Sequence, residues 1–182
     1  MKLPILFTIA VLAPLYAVEN SPQQKIAAAR PIPNELIDYT KHLRIASEVQ
    51  PVREKRRLTE DQFITAAAER GTVVLDARSA DKFKLRHIRG AISLPFTDFT
   101  VESLAKVIPE KTTRILIYCN NNFRGAPVSL AGKIAPASLN ISTYIVLATY
   151  GYTNVYELGP LLDVKTTGIE FEGTEVPAPV SK

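Results

Sequence analysis

The stretch Ile115-Leu116-Ile117-Tyr118-Cys119 decides the fold of this 182-residue chain. Four apolar residues in a row, two of them β-branched, are typical of a strand that is buried on both faces of a sheet. Cys119 ends the strand and opens a polar turn, and a helical pattern resumes over residues 124–134. The stretch therefore predicts a parallel strand whose carboxyl end carries a thiol beside the N-terminus of a helix.

Strand and helix patterns alternate on both sides of this stretch. The pattern predicts further strands at 72–76, 91–94 and 154–157, and helices at 59–70, 79–85, 101–108 and 142–150. The first of these helices is expected to begin with a capping box, because Gln62 follows Thr59 by three residues. Such alternation predicts an α/β domain with a mostly parallel central sheet and helices on both faces. Upstream, we expect a short helix from Asn34 towards Ile45 and an edge strand over 48–52, where Pro51 is compatible with an edge.

The N-terminus has the pattern of an export signal. A basic Met1-Lys2 start is followed by an apolar run over 3–12 and by small residues up to Ala17. This arrangement predicts a signal peptide over residues 1–17, and hence a periplasmic or secreted protein. Because the apolar run is too short to span a bilayer, we expect no stable membrane insertion after cleavage.

Composition narrows the function classes. The chain has one cysteine, so it cannot form an internal disulfide bond. Its two histidines and the cysteine do not have a spacing typical of metal ligands. Its net charge of +4 comes without a long block of lysine and arginine, which argues against nucleic-acid binding. No glycine motif for phosphates or dinucleotides is present. We therefore expect neither a metal nor a cofactor.

The order of several motifs over residues 58–165 resembles the rhodanese (sulfurtransferase) superfamily. The motifs are Val73-Val74-Leu75-Asp76-Ala77-Arg78, His87-Ile88-Arg89-Gly90-Ala91-Ile92, Ile115-Leu116-Ile117-Tyr118-Cys119 and Gly151-Tyr152-Thr153-Asn154-Val155. The resemblance implies a single rhodanese-like domain at 58–165. It leaves an N-terminal extension or linker with a short helix at 18–57 and a C-terminal tail at 166–182.

The resemblance also implies the chemistry. Cys119 is expected to form a persulfide, and the loop Asn120, Asn121, Asn122, Phe123 and Arg124 to bind the substrate anion. The implied donor is a small sulfur-containing anion such as thiosulfate, and the implied acceptor is a thiol or cyanide. A redox protein is a further candidate partner. In this family a glycine often stands at the position of Asn122.

The residues of the loop fit this expectation in their own right. Asparagine tolerates the left-handed backbone region better than most residues, so three in a row favour a loop whose amides converge on an anion. Arg124 either pairs with that anion or lies on the surface as a helix-start residue. Four residues separate Cys119 from Arg124, whereas Cys-x5-Arg phosphatases use five, so the spacing favours sulfur over phosphate.

The supporting residues are expected to be structural. Asp76 and Arg78 lie where a neighbouring strand ends, and a buried charge requires a partner, so we predict that they support the loop through a buried ion pair or amide bonds. His87 is expected to order a turn rather than to act as a base.

Two alternatives to the sulfurtransferase stay open at this stage. One is a non-catalytic rhodanese-like module that binds a partner or carries sulfur. The other is a phosphatase or arsenate-reductase-like enzyme on the same fold. Both would use the same scaffold, and the chemistry of the site separates them.

Overall fold

The computed structural model describes residues 32–177. The predicted signal peptide therefore lies outside the described residues. The helices and strands of the described residues all lie in the unit that begins at Asp38. The helices are α1 Tyr39–Glu54, α2 Glu60–Ala68, α3 Ala80–Leu85, α4 Val101–Val107 and α5 Leu139–Thr149. The strands are β1 Arg57–Leu58, β2 Thr72–Asp76, β3 His87–Ile88, β4 Ile92–Ser93, β5 Arg114–Tyr118, β6 Phe123–Arg124, β7 Val155–Leu158, β8 Leu162–Asp163 and β9 Phe171–Glu172.

The central sheet has five parallel strands in the order β1-β7-β5-β2-β4. β5 lies in the middle, between β2 and β7, so the carboxyl end that carries Cys119 is flanked by two other strand ends. Two short pairs complete the fold: β3 with β9, which is antiparallel, and β6 with β8, which is parallel. The predicted α/β class with a largely parallel sheet is confirmed.

The side chains of β5 show why this stretch is apolar throughout. Leu116 and Tyr118 pack into the core on one face of the sheet, together with Phe63 from α2. Ile115 and Ile117 pack into a second core on the other face. A central strand with apolar layers on both faces has no exposed side, which is why its sequence does not alternate.

The predicted start of α2 is confirmed in detail. The Thr59 side chain accepts a hydrogen bond from the backbone N–H of Gln62, and the Gln62 side chain accepts one from Thr59 N–H. This reciprocal pair satisfies two backbone donors that a helix start leaves free. The helix ends at Ala68, and Gly71 then turns the chain into β2 with a φ of 85°.

The segment before β1 differs from the prediction. Residues 48–52, expected as an edge strand, belong to α1, a single helix that contains Pro51 and begins after the capping residue Asp38. Helix α1 is tied to the sheet because Val49 packs on the second core and Arg53 pairs with Glu157 of β7. Such tertiary contacts compensate for the backbone hydrogen bond that proline removes.

The helix predicted over 124–134 is absent. Its first residue, Arg124, ends β6 instead, and Gly125 follows with a φ of 90°, where an added Cβ would lie 3.1 Å from Asp163 Oδ1. Pro127 then lacks a backbone N–H, and only Leu130 N–H bonds back to Ala126 in a single turn. The apolar side chains that suggested a helix face are buried core residues of an irregular segment.

Among the described residues, none of the helices combines the length and the apolar character required to cross a bilayer.

Candidate functional site

Cys119 lies at the carboxyl end of β5, as predicted. It is a free cysteine and only 1% exposed. Its backbone N–H donates to Asn122 Oδ1 at 2.9 Å, and its Sγ lies 3.4 Å from Ser138 Oγ, within hydrogen-bond distance for sulfur. The thiol is therefore fixed both through its own backbone and through a neighbouring hydroxyl.

The three asparagines after Cys119 form a short 3-10 turn rather than a left-handed loop. Among the described residues, every residue with positive φ is a glycine, so the predicted left-handed asparagines are wrong. The backbone N–H of Asn122 is used within the turn, since it donates to Cys119 O at 3.1 Å. It is therefore not one of the anion donors that the sequence suggested.

The side chains of Asn120 and Asn121 hold the next segment of chain in place. Asn120 Nδ2 donates to Ala131 O at 2.6 Å, and Asn121 Nδ2 donates to Lys133 O at 2.7 Å. Lys133 N–H in turn donates to Asn121 Oδ1 at 3.0 Å. These bonds position Lys133 beside the loop, although it comes 14 residues after Cys119 in the sequence.

Asn122 is the buried centre of a neutral network. Its Nδ2 donates to the carbonyl oxygens of Leu158 at 2.7 Å and Pro160 at 3.3 Å, while its Oδ1 accepts from Cys119 N–H and from Asn140 Nδ2 at 3.0 Å. The side chain thus ties the loop to β7 and to α5. A glycine in this position would have no side chain to make these bonds, so the asparagine has a structural role of its own.

The helix N-terminus near the thiol belongs to α5. Ser138 precedes its first residue, and the Ser138 hydroxyl makes no capping bond to the helix, which leaves it directed at Cys119 Sγ. A helix of 11 residues places partial positive charge at that end. The sequence predicted a helix N-terminus beside Cys119, but assigned it to residues 124–134 instead of 139–149.

Asp76 and Arg78 form the predicted buried ion pair, with Arg78 Nη2 2.6 Å from Asp76 Oδ2. The exposed fractions of the two residues are 0% and 3%. Arg78 also donates to the carbonyl oxygens of Ser129 at 2.9 Å and Arg86 at 2.7 Å. Burial alone would lower the pKa of Arg78, but the hydrogen bond and charge of Asp76 outweigh it, and the pKa lies above its usual value.

Tyr118 joins this charged cluster from β5. Its hydroxyl donates to Asp76 Oδ2 and accepts from Ile88 N–H at 3.1 Å. Burial, followed by the charge of Asp76, holds the pKa of Tyr118 well above its usual value. The phenol therefore stays protonated and acts as a donor that satisfies the buried carboxylate.

His87 has the turn-ordering role that its motif suggested. Its Nδ1 donates to Phe83 O at 2.8 Å, and its ring stacks on Phe83 with centroids 3.7 Å apart. Its Nε2 lies 3.6 Å from Glu172 on β9. These contacts place His87 outside the residues that line the cavity at Cys119.

Arg124 is not brought to the thiol. Its side chain is 69% exposed and its Nε lies 3.5 Å from Asp163 Oδ2. Because β6 pairs in parallel with β8, Arg124 stands opposite Asp163 and outside the cavity that contains Cys119. The structure therefore shows Arg124 in the surface position that the sequence left open, and the arginine that would hold a phosphate in a phosphatase loop is not at the site.

Cys119 forms part of the wall of an open cavity of about 570 Å³. The wall carries the cations Lys82, Lys133 and the paired Arg78, against one acid, Asp98. The remaining wall comes from the chain after β2, from the chain after β4, from the loop and from the start of α5: Ala77, Ser79, Ala80, Pro95, Phe96, Thr97, Asn120, Asn121 and Leu139. The cation excess suits a small anion close to the thiol.

Sequence reasoning did not single out Lys82, Lys133, Ser138 or Asn140. None stands in a motif, and each reaches the site through the fold: Lys82 from α3, the others from residues 133–140. Within residues 32–177, no group of three or more His, Cys, Asp or Glu side chains is arranged to hold a metal ion.

Comparison with known proteins identifies the family. The model of the rhodanese-like domain family matches residues 59–159. This match covers more than half of the chain, and the chain therefore belongs to the rhodanese-like domain family. No curated protein sequence matches significantly.

Several solved structures are similar in fold. The rhodanese-like domain of an Anabaena sp. protein is 21% identical, with 70% of this chain and 88% of that chain covered and a TM-score of 0.47. A thiosulfate sulfurtransferase from Pseudomonas aeruginosa is 20% identical over 72% of this chain and 23% of that chain, with a TM-score of 0.47. A rhodanese with anions from E. coli is 19% identical over 56% of this chain and 98% of that chain, with a TM-score of 0.36.

Proposed function

We propose that this rhodanese-like protein is a sulfurtransferase that carries sulfur as a persulfide on Cys119. One observation carries the proposal: a free thiol in the wall of a cation-rich cavity, with a hydroxyl and the N-terminus of α5 beside its sulfur. The thiolate is the reactive form of cysteine, and a cation-rich wall beside it suits an anionic sulfur donor. The proposed donor is thiosulfate or a similar anion.

In the first step, the Cys119 thiolate attacks the outer sulfur of thiosulfate. A bond forms between Sγ and that sulfur, the sulfur–sulfur bond of thiosulfate breaks, and its electron pair leaves with sulfite. Lys82 and Lys133 lie in the cavity wall, where they attract the dianionic donor. The product is a Cys119 persulfide, with the Ser138 hydroxyl placed to donate to sulfur.

In the second step, a nucleophilic acceptor such as cyanide or a thiolate attacks the outer persulfide sulfur. A new bond forms between acceptor and sulfur, the persulfide bond breaks, and its electron pair returns to Cys119 as the thiolate. No oxidant or reductant is consumed. Because sulfite leaves before the acceptor reacts, we expect ping-pong kinetics.

The test is a steady-state assay of thiocyanate formation from thiosulfate and cyanide. We expect parallel double-reciprocal lines for the wild type and no enzymatic turnover for Cys119→Ala. Asn154→Ala, which removes a hydrogen bond of an exposed side chain far along the sheet, provides the control and should retain activity. Turnover that persists in Cys119→Ala would contradict the persulfide mechanism.

The near-complete burial of Cys119, at 1% exposure, favours a second candidate. A thiol so little accessible, with Arg124 directed elsewhere, suits a non-catalytic module that binds a partner through the rhodanese scaffold. This alternative predicts that the protein reacts with neither thiosulfate nor cyanide. It also predicts that a thiol reagent labels Cys119 only as fast as the native protein opens. Rapid native-state labelling by iodoacetamide would argue against it.

We further propose that the protein is exported after cleavage behind residue 17. The basic start, the short apolar run and the small residues before Val18 support this proposal. Amino-terminal sequencing of protein from the cell envelope or the medium should begin at Val18. A cytoplasmic protein that retains Met1-Lys2 would overturn it.

A further inference from the structure

A second cavity, also of about 570 Å³, adjoins the one that contains Cys119. Asn121 and Lys133 line both cavities. These two residues are joined by two hydrogen bonds and form an edge that the two cavities share. A ligand seated in the second cavity therefore lies next to the site of the persulfide.

The walls of the second cavity are apolar and cationic. The apolar lining residues include Phe123, Ala126, Pro127, Leu130 and Leu161, of which Leu161 is 61% exposed. Arg124 and Lys133 supply positive charge, and no carboxylate is among the lining residues. Asp163, whose Oδ2 lies 3.5 Å from Arg124 Nε, is the nearest acid to Arg124 and is outside the lining.

We infer that this second cavity binds the sulfur acceptor, and that the acceptor is a low-molecular-weight thiol with an apolar body and a carboxylate. The apolar wall accommodates the body and the two cations attract the carboxylate, while the thiol reaches past Asn121 to Cys119. This inference rests on the proposed sulfurtransferase function, which it deepens by assigning Arg124 to the acceptor instead of the donor.

The transfer balances without a further reactant. The acceptor thiolate attacks the outer sulfur of the Cys119 persulfide, a new sulfur–sulfur bond forms on the acceptor, and the bond to Cys119 Sγ breaks. Its electron pair stays on Sγ, which returns as the thiolate, and the acceptor leaves as a persulfide. The carboxylate of the acceptor takes no part in bond making.

The experiment measures each half-reaction by itself. Persulfide is first formed with thiosulfate, and the rate of sulfite release is recorded. Excess donor is removed, and the loaded protein is mixed with 4-mercaptophenylacetate or with its methyl ester, two thiols that differ in charge at a position remote from sulfur. The wild type is compared with Arg124→Gln and Leu161→Ser, and with Arg70→Gln as a control at an exposed arginine outside the cavity.

We expect the wild type to react faster with the acid than with the ester, and Arg124→Gln to lower the rate constant for the acid by about fivefold while leaving the ester unchanged. Leu161→Ser should slow both aromatic thiols and spare cyanide. The rate of sulfite release should be the same in all variants, and Arg70→Gln should leave the rate constants for both thiols unchanged.

Equal effects of Arg124→Gln on acid and ester, or none on either, would overturn the inference while leaving the proposed function intact. A wild type that releases no sulfite overturns the proposed function and the inference with it.

Discussion

Two buried networks hold the Cys119 loop, and they differ in chemistry. On the β2 side the support is charged: the Asp76–Arg78 pair, completed by the Tyr118 hydroxyl. On the β7 side it is neutral, built from the Asn122 and Asn140 amides and main-chain carbonyl oxygens. Charged groups lose more solvation on burial than amides do. Removing a partner from the charged network should therefore lower the free energy of unfolding more than removing one from the neutral network.

The largest expected effect is on the charged side. Arg78→Met leaves the Asp76 carboxylate buried without its partner, which costs about 3–5 kcal/mol in the free energy of unfolding. Arg89→Met is the matched control, because Arg89 pairs with Glu170 on the surface, where such a pair contributes about 1 kcal/mol or less. Urea unfolding measures both. A cost for Arg78→Met as small as that of the control would remove the distinction between the two networks.

A smaller loss is expected on the neutral side. Asn122→Ala leaves Cys119 N–H and Leu158 O without their partner and should cost about 2–3 kcal/mol in the free energy of unfolding. Asn154→Ala is the matched control, because it removes an exposed amide bonded to Thr112 O; it should cost about 0.5 kcal/mol in the free energy of unfolding. If urea unfolding shows Asn122→Ala to be as costly as Arg78→Met, charge is not what separates the networks.

The contact between Ser138 and Cys119 extends the neutral side to the sulfur itself. Ser138→Ala should lower the rate of persulfide formation about tenfold, since a hydrogen bond to a charged group contributes about 1.5–3 kcal/mol and about 1.4 kcal/mol is a factor of ten in rate. Stopped-flow sulfite release measures it. Ser138→Thr keeps the hydroxyl and should restore most of the rate. An unchanged rate in Ser138→Ala would show that the hydroxyl does not act on the sulfur.

The smallest expected effect concerns Glu157 of β7, a buried carboxylate that pairs with Arg53 and Arg57. Burial raises the pKa of Glu157 above its usual value, although the two arginines oppose the shift. The folded protein then binds the proton more tightly than the unfolded chain does. The contribution of Glu157 is therefore full below the unfolded pKa and is lost as the pH rises through the folded pKa.

Glu157→Gln removes this titration. The stability of the wild type relative to Glu157→Gln should therefore decrease as the pH rises from the usual range of a glutamate through the folded pKa of Glu157. Urea unfolding of both proteins over that range is the measurement. A difference that increases with pH would mean that the two arginines outweigh burial.

The sequence predicted those parts of the molecule that depend on local pattern. The apolar run of β5 and the Thr59–Gln62 capping box each need only neighbouring residues, and both are confirmed. The Asp76–Arg78 pair could also be anticipated, because the residues are two positions apart at a strand end and a buried charge must find a partner.

The errors arose where tertiary contacts decide. The spacing of the apolar residues Phe123, Ala126 and Leu130 fits a helix face. In the structure they are buried in the core but lie in an irregular segment, because β6 pairs with β8. Pro51 suggested an edge strand, yet Arg53 and Val49 hold a helix against β7 and the second core. Local pattern cannot distinguish these outcomes.

The parts of the site that were missed share one cause. Ser138 and Asn140 come 19 and 21 residues after Cys119, in a stretch with no motif, and only the return of the chain to α5 brings them to the loop. Asn122 was predicted as a backbone donor to an anion because asparagine tolerates the left-handed backbone region better than most residues. Its burial and its four hydrogen bonds depend on β7 and α5, which its neighbours in sequence do not reveal.

The central claim is that the free thiol between these two networks carries sulfur. The most direct test is mass spectrometry of the intact protein and of the peptide with Cys119 after thiosulfate treatment. The persulfide mechanism predicts a gain of one sulfur atom on that peptide, about 32 Da, which cyanide removes. A protein that gains no sulfur, while its Cys119 thiol is reduced and the fold is intact, would contradict the claim.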